Sequence, residues 1–220
     1  MIKAVIFDLD DTLYDYITYE KGAQNAVIDR AVTLLGKDRE VVEKAYLAGK
    51  NKAKIGLETV AAGHNRMLYV QGMLEELGVS PVEHSLELYE TFWGYVLEHI
   101  RLNDYVVPLL EELKNRGIKV ALCSDLTVNI QHRKINKLGL TKYIDALVTS
   151  EEAGAEKPSS LMYEKVLSKL CVSKEEAVMG GDSMRKDVEG PIAFGMQAVH
   201  FDGDGEKFAT EILKIVDERE

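Results

Sequence analysis

The chain has 220 residues, enough for one large domain or two small ones, and its 46% hydrophobic and 29% charged residues are ordinary for a soluble globular protein. A formal net charge of −10 with no Lys/Arg-rich run argues against a nucleic-acid surface. The same acidity attracts no anionic substrate at long range, so any phosphate site must supply its own positive charge.

Residues 1–7, Met-Ile-Lys-Ala-Val-Ile-Phe, are nearly all apolar and rich in β-branched side chains, the pattern of a strand buried on both faces of a parallel sheet. Asp8, Asp10 and Asp11 follow at once. Carboxylates at the end of a buried strand repel one another and resist desolvation. A divalent cation that takes hard oxygen ligands, Mg²⁺, is the simplest compensation, and a solvated acidic turn is the bland alternative.

Helical stripes then follow one another. They comprise Val27, Ala31, Leu34 and Leu35 before Gly36; Val42, Ala45 and Tyr46 after a candidate cap at Asp38; Met67, Val70, Leu74 and Leu77 before Gly78; and Tyr89, Phe92, Trp93, Val96, Leu97 and Ile100. Pro108 fits the first position of a helix carrying Leu109, Leu110 and Leu113 and closed by Gly117. From there helix and strand alternate. A strand over 118–123 ends at Ser124-Asp125, and a basic amphipathic helix runs to Gly139. A strand lies near 146–148, a helix over 161–170, and a short strand over 177–179 that leaves through Gly180-Gly181-Asp182. A helix begins near Asp187, a strand covers 197–201, and a closing helix starts at Glu206.

This alternation predicts an α/β fold, a Rossmann-like parallel sheet with helices on both faces and ligands beyond the carboxyl ends of the strands. Asp8, Ser124 and Asp182 all fall there. The helical block reads as an insertion, giving an α/β core over residues 1–14 and 103–220 and an all-helical domain over 15–102.

Phe7-Asp8-Leu9-Asp10-Asp11-Thr12-Leu13 resembles the first motif, Asp-x-Asp-x-Thr, of the haloacid dehalogenase-like phosphohydrolases. The resemblance extends to about Gly203. Val120 to Ser124 is similar to the second motif, Glu156-Lys157-Pro158 to the third, and Gly181-Asp182-Ser183 with Asp187 to the fourth. Motifs in this order, each in the matching strand or loop, make the resemblance specific. It departs at Asp125, where Asn is usual, at Ser159-Ser160, where Asp-Pro is frequent, and at Gly180, where a bulky apolar residue is frequent. Asp125 matters most, because an extra anion beside a phosphate site would weaken binding or alter its pH dependence.

The resemblance implies a Mg²⁺-dependent phosphomonoester hydrolase that works through an aspartyl-phosphate. Asp8 would be the nucleophile. Asp10 would protonate the leaving oxygen and later deprotonate the hydrolytic water. Asp8, Asp10 through its main-chain carbonyl, and Asp182 would hold Mg²⁺. Ser124, Asp125 and Lys157 make the phosphate site, with Lys157 supplying the fixed positive charge. Asp187 would orient Lys157 or a metal-bound water, and Thr12 belongs to the same supporting set. The helical block is, in this family, a cap that closes over the site and contributes to substrate choice. Arg66, within Gly63-His64-Asn65-Arg66, and Tyr14, paired with Tyr16, are its candidates for touching the leaving group. A solvated helix face is the competing place for Arg66.

Two other functions compete. A 2-haloacid dehalogenase displaces halide, which needs no proton, so Asp10 argues against it. A catalytically idle metal- or phosphate-binding protein on the same scaffold is opposed by the intact motifs. The expected partner is a small phosphorylated metabolite, with sugar phosphates, nucleotides and small phosphoacids all open, and neither nucleic acid nor a membrane. Cys123 and Cys171 are widely spaced, without a Cys-x-x-Cys, which suits a reduced, cytoplasmic protein. No run of roughly 18 apolar residues suggests a membrane span, and the apolar N-terminal run is too short for a signal peptide. Asp202-Gly203-Asp204-Gly205 lacks the terminal Glu of a calcium loop and reads as a turn, and the five histidines show no ligand spacing.

Overall fold

The computed structural model describes residues 1–218. Its first strand, β1 (Ala4–Phe7), is buried at every position, as an unbroken apolar run requires when both faces of a sheet are covered. The chain then forms α1 (Tyr16–Leu35), α2 (Arg39–Lys52), α3 (Arg66–Glu76) and α4 (Pro81–His99). The alternating part follows as α5 (Val106–Asn115), β2 (Lys119–Ser124), α6 (Val128–Lys137), β3 (Ala146–Thr149) and α7 (Ser150–Ala153). It ends with α8 (Ser160–Leu170), β4 (Ala177–Gly181), α9 (Gly190–Phe194), β5 (Gln197–His200) and α10 (Gly205–Asp217). Two compact units result, one of Met1–Asp15 with Arg101–Glu220 and one of Tyr16–Ile100.

In the first unit the strands make one parallel sheet in the order β3-β2-β1-β4-β5. Phe7 stands opposite Leu122 on one side and Gly180 on the other. The chain steps outward from β1 through β2 to β3, then returns to the far side of β1 for β4. That reversal opens a crevice at the carboxyl ends of β1 and β4, where sheets of this kind bind ligands. Asp8 follows Phe7, Ser124 ends β2, and Asp182 follows Gly181, so all three stand on this edge.

One face of the sheet, through Ile6, Ala121, Cys123 and Met179, packs on Met162, Tyr163, Val166 and Leu170 of α8. On α10, the buried Phe208 ring lies 6.2 Å from Phe7, 5.3 Å from Phe201 and 5.8 Å from Tyr105. Gly180 admits it, since a Cβ there would lie 2.7 Å from Phe208 Cζ. The bulk missing from position 180 is thus supplied by α10.

The helical unit has its own buried centre, Arg66, which is only 5% exposed. Its guanidinium donates to Tyr16 Oη (2.6 Å), Glu20 Oε1 (2.9 Å) and the His64 carbonyl (2.6 Å). It also lies 5.2 Å from the Tyr69 ring, 5.3 Å from Phe92 and 5.8 Å from Trp93. A solvated helix face is therefore not where Arg66 sits, because the aromatic stripe of α4 offers it π faces and Glu20 a counter-charge.

Three local expectations change, and one short helix was not expected. Helix α5 begins at Val106, two residues before Pro108; a first-turn N–H has no partner within the helix, so proline is tolerated there. Asp38 takes the cap position of α2 without a capping side-chain bond. Asp187 lies inside a widened turn, Met184–Glu189, capped by Ser183, and does not itself start the helix. The short α7, capped by Thr149, carried no apolar periodicity to announce it. Among the described residues, no helix is long and apolar enough to cross a membrane.

Candidate active site

Asp8 is still tied to the sheet by its N–H, which donates to Gly180 O at 2.9 Å, so its side chain is aimed by the strand and not by a loop. Lys157, from the segment before α8, is 2% exposed. Its ammonium lies 2.8 Å from Asp8 Oδ1 and 2.6 Å from Asp187 Oδ1. Asp187 is fully buried, and its other oxygen accepts the Ser183 N–H at 3.0 Å. Asp182 is held by Thr12: its N–H donates to Thr12 Oγ1 (3.0 Å), and that hydroxyl lies 3.3 Å from Asp182 Oδ1. The Thr12 carbonyl in turn accepts from Asn103 Nδ2 (2.9 Å) and Tyr105 Oη (2.8 Å), fixing the loop after β1.

Carboxylate oxygens of Asp8, Asp182 and Asp187 all lie within 4.8 Å of one another. Three buried or half-buried acids against one ammonium leave an excess of negative charge. Burial pushes the Asp8 carboxyl up to about 8, against the pull of Lys157, with Asp187 adding to the rise. Asp182 is raised for the same reasons, burial first and Asp187 second. Burial pulls the Lys157 ammonium down, but Asp187 and Asp8 outweigh it and hold its proton well above the ordinary range. An acid cluster of this kind, with hard oxygen donors and an unfavourable charge, suits a divalent cation.

A profile of haloacid dehalogenase-like hydrolases matches residues 2–195. The chain belongs to the haloacid dehalogenase-like hydrolases. A ribulose-1,5-bisphosphate 5-phosphatase from Halopiger xanaduensis is 39% identical over 213 residues, spanning 96% of this chain and 89% of that one. A glyceraldehyde 3-phosphate phosphatase from Methanopyrus kandleri is 32% identical over 203 residues, spanning 90% and 83%. Among solved structures, a 2-haloacid dehalogenase from Pseudomonas syringae superposes with a TM-score of 0.78 at 22% identity over 98% of each chain. At that identity the likeness speaks for the fold alone.

In this haloacid dehalogenase-like hydrolase the remaining site candidates have definite surroundings. The Ser124 hydroxyl, 1% exposed, accepts from Gln131 Nε2 at 2.9 Å. Asp125 Oδ1 accepts the Lys157 N–H (3.1 Å), and Oδ2 pairs with Lys186 Nζ (2.7 Å), which also reaches Glu156 Oε2 (3.2 Å). The extra anion at position 125 therefore has its own cation. Leu126, next in line, is a buried residue with φ of 106°, a conformation that costs a leucine about 1–3 kcal/mol. Ser150 Oγ accepts its N–H at 2.9 Å and helps hold it there.

Asp10 does not join the acid cluster through its side chain. Both its oxygens lie 2.8 Å from Lys134 Nζ, and Oδ1 also accepts the Tyr14 hydroxyl. Tyr14 is fully buried with its hydroxyl on Asp10, and Arg66 is buried inside the helical unit. Sequence reasoning missed Gln131, Lys134 and Lys186. The signal for the first two was present: Gln131 and Lys134 share the apolar side of α6 with Ile130 and Ile135, a side on which a surface lysine has no place. Lys186 carried no such mark.

Proposed function

We propose that this hydrolase is a phosphomonoesterase that transfers the phosphoryl group to Asp8 and then to water, acting on a short-chain sugar phosphate. The observation that carries this reading is the Asp8–Lys157–Asp187 chain beside Asp182, with a further carboxyl group at Asp10. The 39% identity to a ribulose-1,5-bisphosphate 5-phosphatase supports the substrate class. Asp8, the Asp10 main-chain carbonyl and Asp182, with Asp187 behind them, would hold Mg²⁺. When bound, it would neutralise charge on the phosphoryl oxygens.

Lys157 holds the Asp8 carboxylate in place and adds positive charge beside the phosphoryl group. The Ser124 hydroxyl donates to a phosphoryl oxygen. As an Asp8 oxygen bonds to phosphorus, the ester oxygen departs with a proton from Asp10. Asp10 then takes a proton from water as that water attacks phosphorus, the Asp8 oxygen–phosphorus bond breaks, and phosphate leaves. A halide leaving group would use neither proton transfer, which is why the dehalogenase reading ranks below this one. In the same proposal the unit Tyr16–Ile100 is the cap that selects the alkyl part of the ester.

A panel of sugar phosphates, nucleotides and phosphoacids, assayed for released phosphate with Mg²⁺ and with excess chelator, tests the proposal. Pentose and triose phosphates should be cleaved fastest, and chelator should abolish turnover reversibly. No phosphate release from any monoester, or full activity in chelator, overturns it.

A further inference from the structure

Two polar side chains of α6, Gln131 and Lys134, are fully buried at the edge of the site, and neither belongs to the motifs that led to it. A lysine with no exposure is costly unless its charge is matched, and a lysine–carboxylate pair serves stability no better than an apolar pair of similar volume. Gln131 adds to the cost, because its Oε1 is buried with no hydrogen-bond partner among the described residues. Stability alone does not account for this face of α6.

What these residues touch is the group assigned the proton transfers. Lys134 Nζ spans both oxygens of Asp10 at 2.8 Å each, and the ammonium also lies 5.9 Å from the centre of the Tyr14 ring. Tyr14 adds a second donor at Oδ1, while at Oδ2 Gln131 Nε2 lies 3.5 Å away, at the limit of hydrogen bonding. The same Gln131 amide donates to Ser124 Oγ (2.9 Å) and to the Asp125 carbonyl (2.8 Å), so α6 ties the phosphate end of the site to Asp10. An oxygen that already faces two donors cannot also point a proton at them. Oδ1, between the ammonium and the Tyr14 hydroxyl, is thereby taken, and the proton exchanges at Oδ2, which shares Lys134 but stands 3.5 Å from a Gln131 amide whose two protons go to Ser124 Oγ and the Asp125 carbonyl.

We propose that Lys134, together with the Tyr14 hydroxyl, is a clamp that orients Asp10 for both proton transfers. Lys134 is then a positioning residue acting through Asp10, and the inference rests on the reading of Asp10 given above.

The test measures Lys134→Met, Tyr14→Phe and Asp10→Asn on an alkyl monoester drawn from the active panel and on p-nitrophenyl phosphate, whose phenolate leaves without a proton. Asp10→Asn should slow the first turnover of the alkyl ester far more than that of the aryl ester; equal losses remove the acid role of Asp10 and the clamp with it. Given that split, Lys134→Met should show it too, with kcat on the alkyl ester down about 10- to 100-fold, less than the ~10²–10⁴-fold an acid–base group itself contributes because Lys134 acts through Asp10. Added to Asp10→Asn, Lys134→Met should cost less than about 3-fold more, because the two act as one unit. A full additional loss in the double variant, or equal losses on both esters in the single one, overturns the clamp while leaving Asp10 in its role. Should Lys134→Met not fold, Tyr14→Phe, which keeps the packed ring and deletes one donor, decides by the same two comparisons.

Discussion

The Asp187 carboxyl group occupies the space that a side chain at residue 181 would need: a Cβ on Gly181 would lie 2.5 Å from Asp187 Cγ. Position 181 is therefore glycine because of what Lys157 requires. The carboxyl group that crosses the end of β4 there is the one that meets the Lys157 ammonium at 2.6 Å.

Gly181→Ala should displace Asp187 and release Lys157 from one of its two carboxylates. Loss of kcat/KM by about 100-fold is expected, comparable to the loss of one charge-stabilising donor. Asp187→Asn should give a similar loss, and the double variant little more than either, since both act through Lys157. Steady-state kinetics of the three variants check this, and additive losses would separate Gly181 from the lysine.

A second expectation concerns Arg66. Its partners, Tyr16, Glu20 and the aromatic rings around it, all belong to the helical unit, so its replacement should act on stability. Arg66→Met keeps much of the volume but leaves Glu20 and the Tyr16 hydroxyl without that donor. Glu20 is 29% exposed and recovers part of its hydration. A loss of about 1–3 kcal/mol follows, read from denaturant midpoints. An unchanged midpoint with a raised KM would return Arg66 to the substrate.

Asp125 and Lys186 should show opposite signs. Asp125→Asn keeps the acceptor for the Lys157 N–H but leaves Lys186 short of a counter-charge, so inorganic phosphate should inhibit more tightly. Lys186→Met leaves the Asp125 anion less compensated and should weaken the same inhibition. Each change should be about 5-fold, on the order of 1 kcal/mol for a unit charge at a partly wet distance. Inhibition constants that move in one direction for both variants would contradict the pairing.

The parts of the site that follow strands were legible in the sequence because an apolar run that ends in a carboxylate or hydroxyl carries its own contradiction. Asp8, Ser124 and Asp182 each break such a run. The parallel sheet was legible for the same reason, since both faces of β1 had to be covered. Residues that act across the fold were not. The pairing of Asp10 with Lys134 spans 124 positions, and nothing local to either one announces the other. Arg66 looked like a surface residue because its partners, Glu20 and the aromatic stripe of α4, lie on other helices. The filling of the gap over Gly180 by Phe208 likewise depends on where α10 docks.

The last expectation concerns Asp8 and pH. Without a cation, burial raises its carboxyl from 3.8 to about 8 in the folded protein. Between those values the folded state keeps a proton that the unfolded state has lost, so stability falls as pH rises through this window and levels off above about 8. Asp182 is raised as well and adds a slope of the same sign. Lys157, held well above its ordinary range, contributes stability that is lost only at pH above this window. Comparison with Asp8→Asn isolates the Asp8 part. In chelator, the melting temperature of the wild type relative to Asp8→Asn should drop steadily from pH 5 to 8 and then stay level. Saturating Mg²⁺ should reverse the trend, because a cation binds the carboxylate and not the acid, so the stabilisation it brings grows with pH. Parallel melting curves for the two proteins across this range in chelator would mean that Asp8 is ionised without a cation, and the charge argument for a metal at this site would lose its basis.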